Sequence, residues 1–401
     1  MPGSSAARAR STHLLVAVFS AVLALVAFLS IAAIAAARPH GAKTRTTLYV
    51  SPTGSDSGAC SRHAPCKTIG AAVAKAAKGD TVKVERGTYD EQVTVTADIS
   101  LIGVHKPVID ASGQNNGVLI KGPGANGALV RGFVIKNATF EGILAVGAAR
   151  LTIEHNVVLD NDQGAKAANP TGECAPAGGV PGDCGEGLHL MSVVRSVVSN
   201  NLVTANDGGI LLTDELGPTA HNVISKNRSL DNVFDCGITL ASHNTSAFVN
   251  GAVQPAKGGV YGNTVTDNVA DGNGTQGQGG GILLAGPGPG TAVYNNVVSD
   301  NTADDNGLAG VTLHSHAPGE DLNGNKIVDN RLRNDGLTPD SSFNETGTVG
   351  ILVGSASPLT GTVIAGNRIS DTHFGIWTVN VPKIKRAANR FHQVAVPLQQ
   401  S

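Results

Sequence analysis

The side chains best suited to acid–base chemistry bunch in one stretch of this 401-residue sequence, between Glu186 and Asp321. Glu186 and His189 stand three apart, Asp214 and Glu215 are adjacent, Asp235 and His243 follow, and His314, His316, Glu320 and Asp321 close the stretch. Proton abstraction beside a carboxylate needs a base, a neutralising group and a proton donor. Glycosidic hydrolysis needs two carboxylates across the bond. The candidate catalytic residues are His189, Asp214, Asp235, His243, His314 and His316. The candidate substrate-binding residues are Glu186, Thr213, Thr239, Asp321 and Trp377. His314 and His316 could share a metal ion from one strand end, because alternate residues share a face. No third ligand follows at a fixed spacing, so two solvated or locally bonded histidines is the preferred reading. Asp235 could equally bond its own backbone in a turn. The run Asp300, Asp304, Asp305 could hold calcium through oxygen ligands or form a solvated turn edge; other cofactors are unassigned.

Short β-runs must position these groups, and they repeat. One mark is Gly followed by an aliphatic residue, at Gly142-Ile143, Gly187-Leu188, Gly209-Ile210, Gly237-Ile238, Gly281-Ile282, Gly310-Val311, Gly350-Ile351 and Gly375-Ile376. The other is Asn paired five residues apart, as in Asn156/Asn161, Asn201/Asn206, Asn227/Asn232, Asn263/Asn268, Asn296/Asn301 and Asn325/Asn330, with a short aliphatic strand inside each pair. A coil of this size cannot bury its own apolar face and must stack on its neighbours. Asn tolerates left-handed turns and can ladder along a stack; Gly permits corners. If the aliphatic residue points inward, an outward row follows: Leu144, His189, Leu211, Thr239, Leu283, Thr312, Leu352, Trp377. Two places on lies a second row with Met191, Thr213, Ala241, Ala285 and His314. The polar members sit in the middle coils. A one-residue slip would bury them.

Composition bounds the rest. Glycine is 51 of 401 without a triplet period, which excludes collagen, and the 41% hydrophobic content is enough for a core. The net charge of -2 argues against nucleic acid as a partner. Residues 14–37 carry no charge and follow Arg8 and Arg10, so residues 1–40 read as a cleaved export signal or a retained membrane anchor. Residues 41–47 are a linker. Outside the cytoplasm, Cys60–Cys66 and Cys174–Cys184 are expected as local disulfides, and Cys236 as a free cysteine turned inward. A helix is expected at 68–78, with Ile69, Ala72, Val73, Ala76 and Ala77 on one face, capping the core ahead of coils that start at about residue 80.

The segment Tyr49-Val50-Ser51-Pro52-Thr53-Gly54, with Lys67-Thr68-Ile69, Gly79-Asp80-Thr81-Val82 and Gly87-Thr88-Tyr89, resembles the N-terminal cap of the pectate-lyase-like superfamily. The later coils resemble right-handed β-helix repeats shared by pectate lyases, polygalacturonases, alginate epimerases and lyases, and the periplasmic protein NosD. The resemblance implies an all-β fold, a single-stranded right-handed parallel β-helix over 48–398 with an N-terminal capping helix. It implies an exported protein that acts on or binds an acidic extracellular polysaccharide, by lyase or C5-epimerase chemistry if it is an enzyme. The alternative is a non-catalytic envelope or NosD-like accessory protein. A monomer is expected, with membrane anchoring through 14–37 if the first segment is retained. The Asp-Pro-His of alginate epimerases, the paired Asp and Gly-His-Gly of polygalacturonases and the Arg-x-Pro-x-x-Arg of pectate lyases are absent, so no catalytic residue carries over.

Overall fold

The computed structural model describes residues 45–161, 185–276, 279–338, 347–381 and 384–401. The 14–37 segment and the Cys174–Cys184 pair lie outside these residues. Among the described residues no helix is long and apolar enough to cross a membrane.

The chain winds through three parallel sheets. Sheet I has twelve strands, from Thr47–Val50 to Lys385–Ala387; sheet II has eleven, from Thr88–Asp90 to Arg390–His392; sheet III has eleven, from Val93–Val95 to Val396–Gln400. Each coil visits sheet III, then I, then II, as in Ile143–Val146, Thr152–Glu154 and Val157–Leu159. Strands of sheets I and II are mostly three residues long and bury only the middle one, such as Ile153 and Val158. Those middle residues, with Leu188, Leu190 and their equivalents, form one continuous core. The expected outward row of sheet III is in register throughout, from Leu144 opposite His189 to Leu352 opposite Trp377.

The repeated glycine has a steric cause. A Cβ on Gly142 would lie 2.3 Å from Val158 Cγ1, and one on Gly187 would lie 2.3 Å from Val203 Cγ1 and 2.6 Å from Asn206 Nδ2. These glycines therefore face the interior where sheet II gives way to sheet III. The alternation breaks there: Glu186 points out, Gly187 and Leu188 in, His189 out.

The asparagines form three ladders, one per corner. Asn156, Asn201, Asn227, Asn268, Asn301, Asn330, Asn367 and Asn389 stack between sheets I and II, each Nδ2 donating to the next Oδ1. Asn161, Asn206, Asn232, Asn273, Asn306 and Asp335 stack between sheets II and III. Asn222, Asn263, Asn296 and Asn325 stack between sheets III and I. The pairs at 156/161, 201/206 and 227/232 thus bracket sheet II strands, whereas 263/268, 296/301 and 325/330 bracket sheet I strands. Nor do the ladder asparagines take the left-handed conformation. The residue before each one does, as at His155 (φ 56), Lys226 (φ 57) and Asp300 (φ 57). That residue turns the corner at the surface, and the buried Asn behind it ties coil to coil.

The stack starts one coil earlier than the sequence suggests, because Thr47–Val50 pairs with Thr81–Val84. The helix is shorter than expected, Ile69–Lys75. Thr68 caps it, and Glu91 accepts from the backbone N–H groups of Ile69 and Gly70. It ends early because Asp80 draws the Ala77 N–H out of the helical path at 2.8 Å. Ile69 and Ala72 close the end of the core. Cys60 and Cys66 are disulfide-bonded. Cys236 is free and buried, but at the rung equivalent to Glu186 it lies on the outer side of sheet III, its Sγ accepting from Gly280 N at 3.1 Å.

Candidate functional site

Sheet III differs from the other two in burying both faces. Glu186–Met191, Gly208–Thr213 and Val349–Gly354 are buried almost residue by residue. At the C-terminal end the outer face is apolar, with Trp377 and Leu352 packed on Val349, Phe374 and Ala309. Trp377 is 6% exposed and donates to Ser401 Oγ. It sits far along the stack from the titratable residues.

Toward the N-terminal end the same face is polar. His189 Nδ1 lies 3.3 Å from Glu141 Oε1, and Nε2 lies 2.7 Å from Thr213 Oγ1. Glu215 follows Thr213 by two residues, and the Thr213 hydroxyl helps to lower its carboxyl. Glu215 in turn meets His243 Nδ1 at 2.7 Å. Two bonded groups, Glu141–His189–Thr213 and Glu215–His243, follow one another along four consecutive coils and together make one polar run. Its Glu141–Thr213 end is buried; at the other end Glu215 is exposed, while the His243 side chain is only 7% exposed. Burial raises the Glu215 carboxyl, but its contact with His243 and the nearby charge of His189 outweigh this and hold it at about 2. Glu215 is therefore ionised, and it places the His243 proton on Nδ1, which leaves Nε2 as the basic nitrogen.

Asp214 acts on this run through the backbone. It accepts from Ser242 Oγ at 3.0 Å, His243 N at 2.6 Å, Asn244 N at 3.1 Å and Gly259 N. Burial pushes its carboxyl up against these four donors. The four bonds pin the 242–244 turn and thereby fix His243. Glu186 and Asp235 flank Gly208: a Cβ there would lie 3.2 Å from Glu186 Cγ and 3.3 Å from Asp235 Cβ. Asp235 Oδ1 also accepts from Cys236 N. Thr239 lies one coil further, on the strand that Cys236 precedes.

The other sequence candidates stand apart. His314 is on the row of Thr213, but Ala241 and Ala285 intervene. His316 Nε2 lies 2.8 Å from His314 Nε2, so the two histidines bond each other. Asp321 accepts from Asn323 N in a turn. Neighbouring Tyr261 and Tyr294 stack at 4.8 Å on a small extra sheet made by residues 219–220, 260–261 and 293–294.

Glu141 was not among the sequence candidates. Its signal was a repeated tripeptide: Glu141-Gly142-Ile143 and Glu186-Gly187-Leu188 share one pattern, which places both carboxylates outward on adjacent rungs. Ligand atoms of Glu141, Glu186 and His189 lie within 4.8 Å of one another. Glu141 Oε2 is buried without a hydrogen-bond partner. Two oxygens and an imidazole nitrogen suit a transition ion such as zinc, manganese or iron. Calcium prefers six to eight oxygens, so this set fits it poorly. The Asp300, Asp304, Asp305 run is not a cage: Arg333 binds Asp304 and Asp305, and Asp300 and Asp305 are left-handed corner residues.

Comparison with known proteins agrees with the fold. The family described as "Right handed beta helix region" matches residues 104–286, and "Periplasmic copper-binding protein (NosD)" matches 220–398. An uncharacterized protein of Bacillus subtilis, YwoF, is 40% identical over 76 residues, which are 19% of this chain and 15% of that protein. The Dettilon tailspike protein superposes with a TM-score of 0.54 at 15% identity, covering 86% of this chain and 68% of that one. The A-module of a mannuronan C-5 epimerase from Azotobacter vinelandii gives 0.50 at 15% identity, covering 80% and 90%. The three stacked parallel sheets are those of a right-handed parallel β-helix, the fold that the first of these families describes and that the chain resembles over residues 104–286.

Proposed function

We propose that this protein works outside the cytoplasm on an acidic polysaccharide, abstracting a proton beside a uronate carboxylate in a lyase or C5-epimerase reaction. The observation that carries the proposal is the polar run from Glu141 to His243, which sets a buried acid–imidazole pair beside a second imidazole–carboxylate pair whose Glu215 is exposed. His243 is the base, oriented by Glu215 and held in place by Asp214. His189, backed by Glu141, fixes the Thr213 hydroxyl, which in turn helps to lower the Glu215 carboxyl. A carboxylate-rich site repels a uronate unless a cation neutralises it. An ion held by Glu141, Glu186 and His189 would supply that charge. Export is supported by the uncharged run at 14–37 and by the periplasmic description of the NosD family.

The test is incubation of purified protein with a panel of uronate polymers, with and without added divalent ions. Ultraviolet absorbance of an unsaturated product indicates a lyase, and solvent-proton exchange at C5 without cleavage indicates an epimerase. His243→Ala should abolish either signal, and Glu215→Gln should shift its pH profile. Full activity in His243→Ala would sink the assignment. The NosD match and the Glu141–Glu186–His189 group favour a second reading, a metal-holding envelope protein without turnover. Silence across the panel combined with tight stoichiometric metal binding would support it.

A further inference from the structure

The outer face of sheet II carries a different polar feature, toward the C-terminal end of the stack. Arg331, Arg368 and Arg390 stand directly opposite one another in successive strands, and all three are exposed. Rungs of a parallel sheet lie about 4.8 Å apart, so three guanidinium groups rise from a row about 10 Å long. Like charges directly opposite on a sheet are destabilising. Two other cations of this face are answered by acids: Lys136 Nζ lies 3.1 Å from Asp110, and Arg333 Nε lies 3.1 Å from Asp304. Among the described residues the arginine row forms no ion pair. Its register neighbours two places on are Arg333, Ser370 and His392, which bring no negative charge. The row borders an open depression of about 450 Å³, where Ile369 and Phe391 also contribute.

We infer that the row Arg331–Arg368–Arg390 is a docking strip for an extended carboxylated glycan aligned with the stack axis. The positive charge is local. Residues 326–401 hold eight lysines and arginines against five carboxylates, although the whole chain is at -2. A duplex nucleic acid calls for a broad basic surface, whereas this one is a single file. An extended polyuronate presents one carboxylate per ring, also in single file, at a spacing close to one rung. Each arginine can meet such a carboxylate with two parallel N–H donors. The strip lies on a different sheet from the Glu141–His243 run, so it serves to hold the polymer and takes no part in the chemistry. The inference rests on the acidic-polysaccharide reading but does not require turnover.

The test measures binding of uronate oligomers by the full chain at several salt concentrations, with neutral glucan oligomers and inorganic polyphosphate as controls. Arg331→Gln, Arg368→Gln and Arg390→Gln are made singly and together. The residues are exposed, so unfolding temperatures should hold or rise. Each loss of a charge-assisted bond should weaken uronate binding about tenfold or more, and Arg368→Lys should recover only part of it. Unchanged uronate binding by the triple variant would overturn the inference. So would equal affinity for the neutral oligomers, or preference for polyphosphate over every uronate. Binding without turnover would refute the enzymatic proposal and leave the strip standing. Turnover and binding untouched by the triple variant would do the reverse.

Discussion

Asp335 offers the sharpest test of the physical account, because it is a carboxylate in an asparagine's place. Every earlier rung of its ladder donates an amide N–H to a backbone carbonyl of an earlier sheet II strand: Asn206 to Val158 O, Asn232 to Val203 O, Asn273 to Ser229 O and Asn306 to Ala270 O. The same offset points Asp335 toward the carbonyl of Ala303. Asp335 Oδ1 does accept from Asn306 N and Nδ2, at 3.1 and 2.8 Å, as the ladder requires. Oδ2 is buried without a partner. A carboxylate oxygen cannot donate to a carbonyl unless it is protonated, and burial drives this carboxyl well above its ordinary value. The folded state therefore keeps a proton that the unfolded state gives up above about pH 4. Stability contributed by this group is complete below that pH and falls as pH rises toward the folded-state value, by at most about 1.4 kcal/mol per pH unit. Asp335→Asn restores the missing donor and removes the titration. At pH 8 it should stabilise the fold by about 1–3 kcal/mol, the cost of one unsatisfied buried polar group. For a chain of this size that is a rise of roughly 1–4 °C in Tm. At pH 4 the two proteins should unfold within a degree or so of each other. Thermal unfolding followed by circular dichroism at both pH values is the assay. A variant that is destabilised at pH 8, or a difference that does not grow with pH, would refute the reasoning.

Three further outcomes follow from the same geometry. Glu320 is buried, its Oε2 is unpartnered, and burial raises its carboxyl to about 7; its contribution to stability should fall between about pH 4.5 and 7, so Glu320→Gln should gain in Tm over wild type at pH 8 and match it at pH 4, and a pH-independent difference would contradict this. Zinc or manganese should raise Tm through Glu141, Glu186 and His189, by about 2.7 kcal/mol of stability at a hundredfold excess over Kd, and Glu141→Gln should lose the effect; an equal shift in the variant would place the ion elsewhere. Gly187→Ala forces a methyl group against Val203 and Asn206 and should cost on the order of 1–3 kcal/mol in a denaturant melt, whereas a neutral result would mean that the corner relaxes.

The fold was legible because its marks are local and repeat. Gly187-Leu188 and Asn201 each report a corner, and the spacing from Leu188 to Ile210 shows a bare coil. The third ladder was harder to see. Asn222 pairs across the stack with Asn263, 41 residues away, while the visible five-residue spacing belongs equally to two kinds of corner. The candidate site was legible by row but not by partner. His189 and Thr213 were on the expected outward rows, yet their contact is diagonal and depends on side-chain reach. Glu141 lies 48 residues from His189 in sequence, beyond an insertion of unpredictable length. Burial of the outer face could not be read at all, because alternation reports direction and says nothing of what lies above a strand.

That burial is what separates the polar run from ordinary surface residues. The row containing His189 accepts leucine readily: Leu144 and Leu211 are its neighbours on either side, and Leu283 and Leu352 follow on the same row. An apolar residue at 189 would cost no desolvation and would join an existing stripe. Burying imidazole and carboxylate groups is expensive unless they satisfy one another, and replacing such a set with apolar side chains is often neutral or stabilising. Stability alone therefore gives no reason for Glu141, Glu186 and His189 to sit at 1%, 2% and 3% exposure on a face that takes leucine one rung away. Their place in the run ending at Glu215 and His243 does give one, since a buried acid–imidazole pair is useful where a charge or a proton must be held in register with a group at the surface.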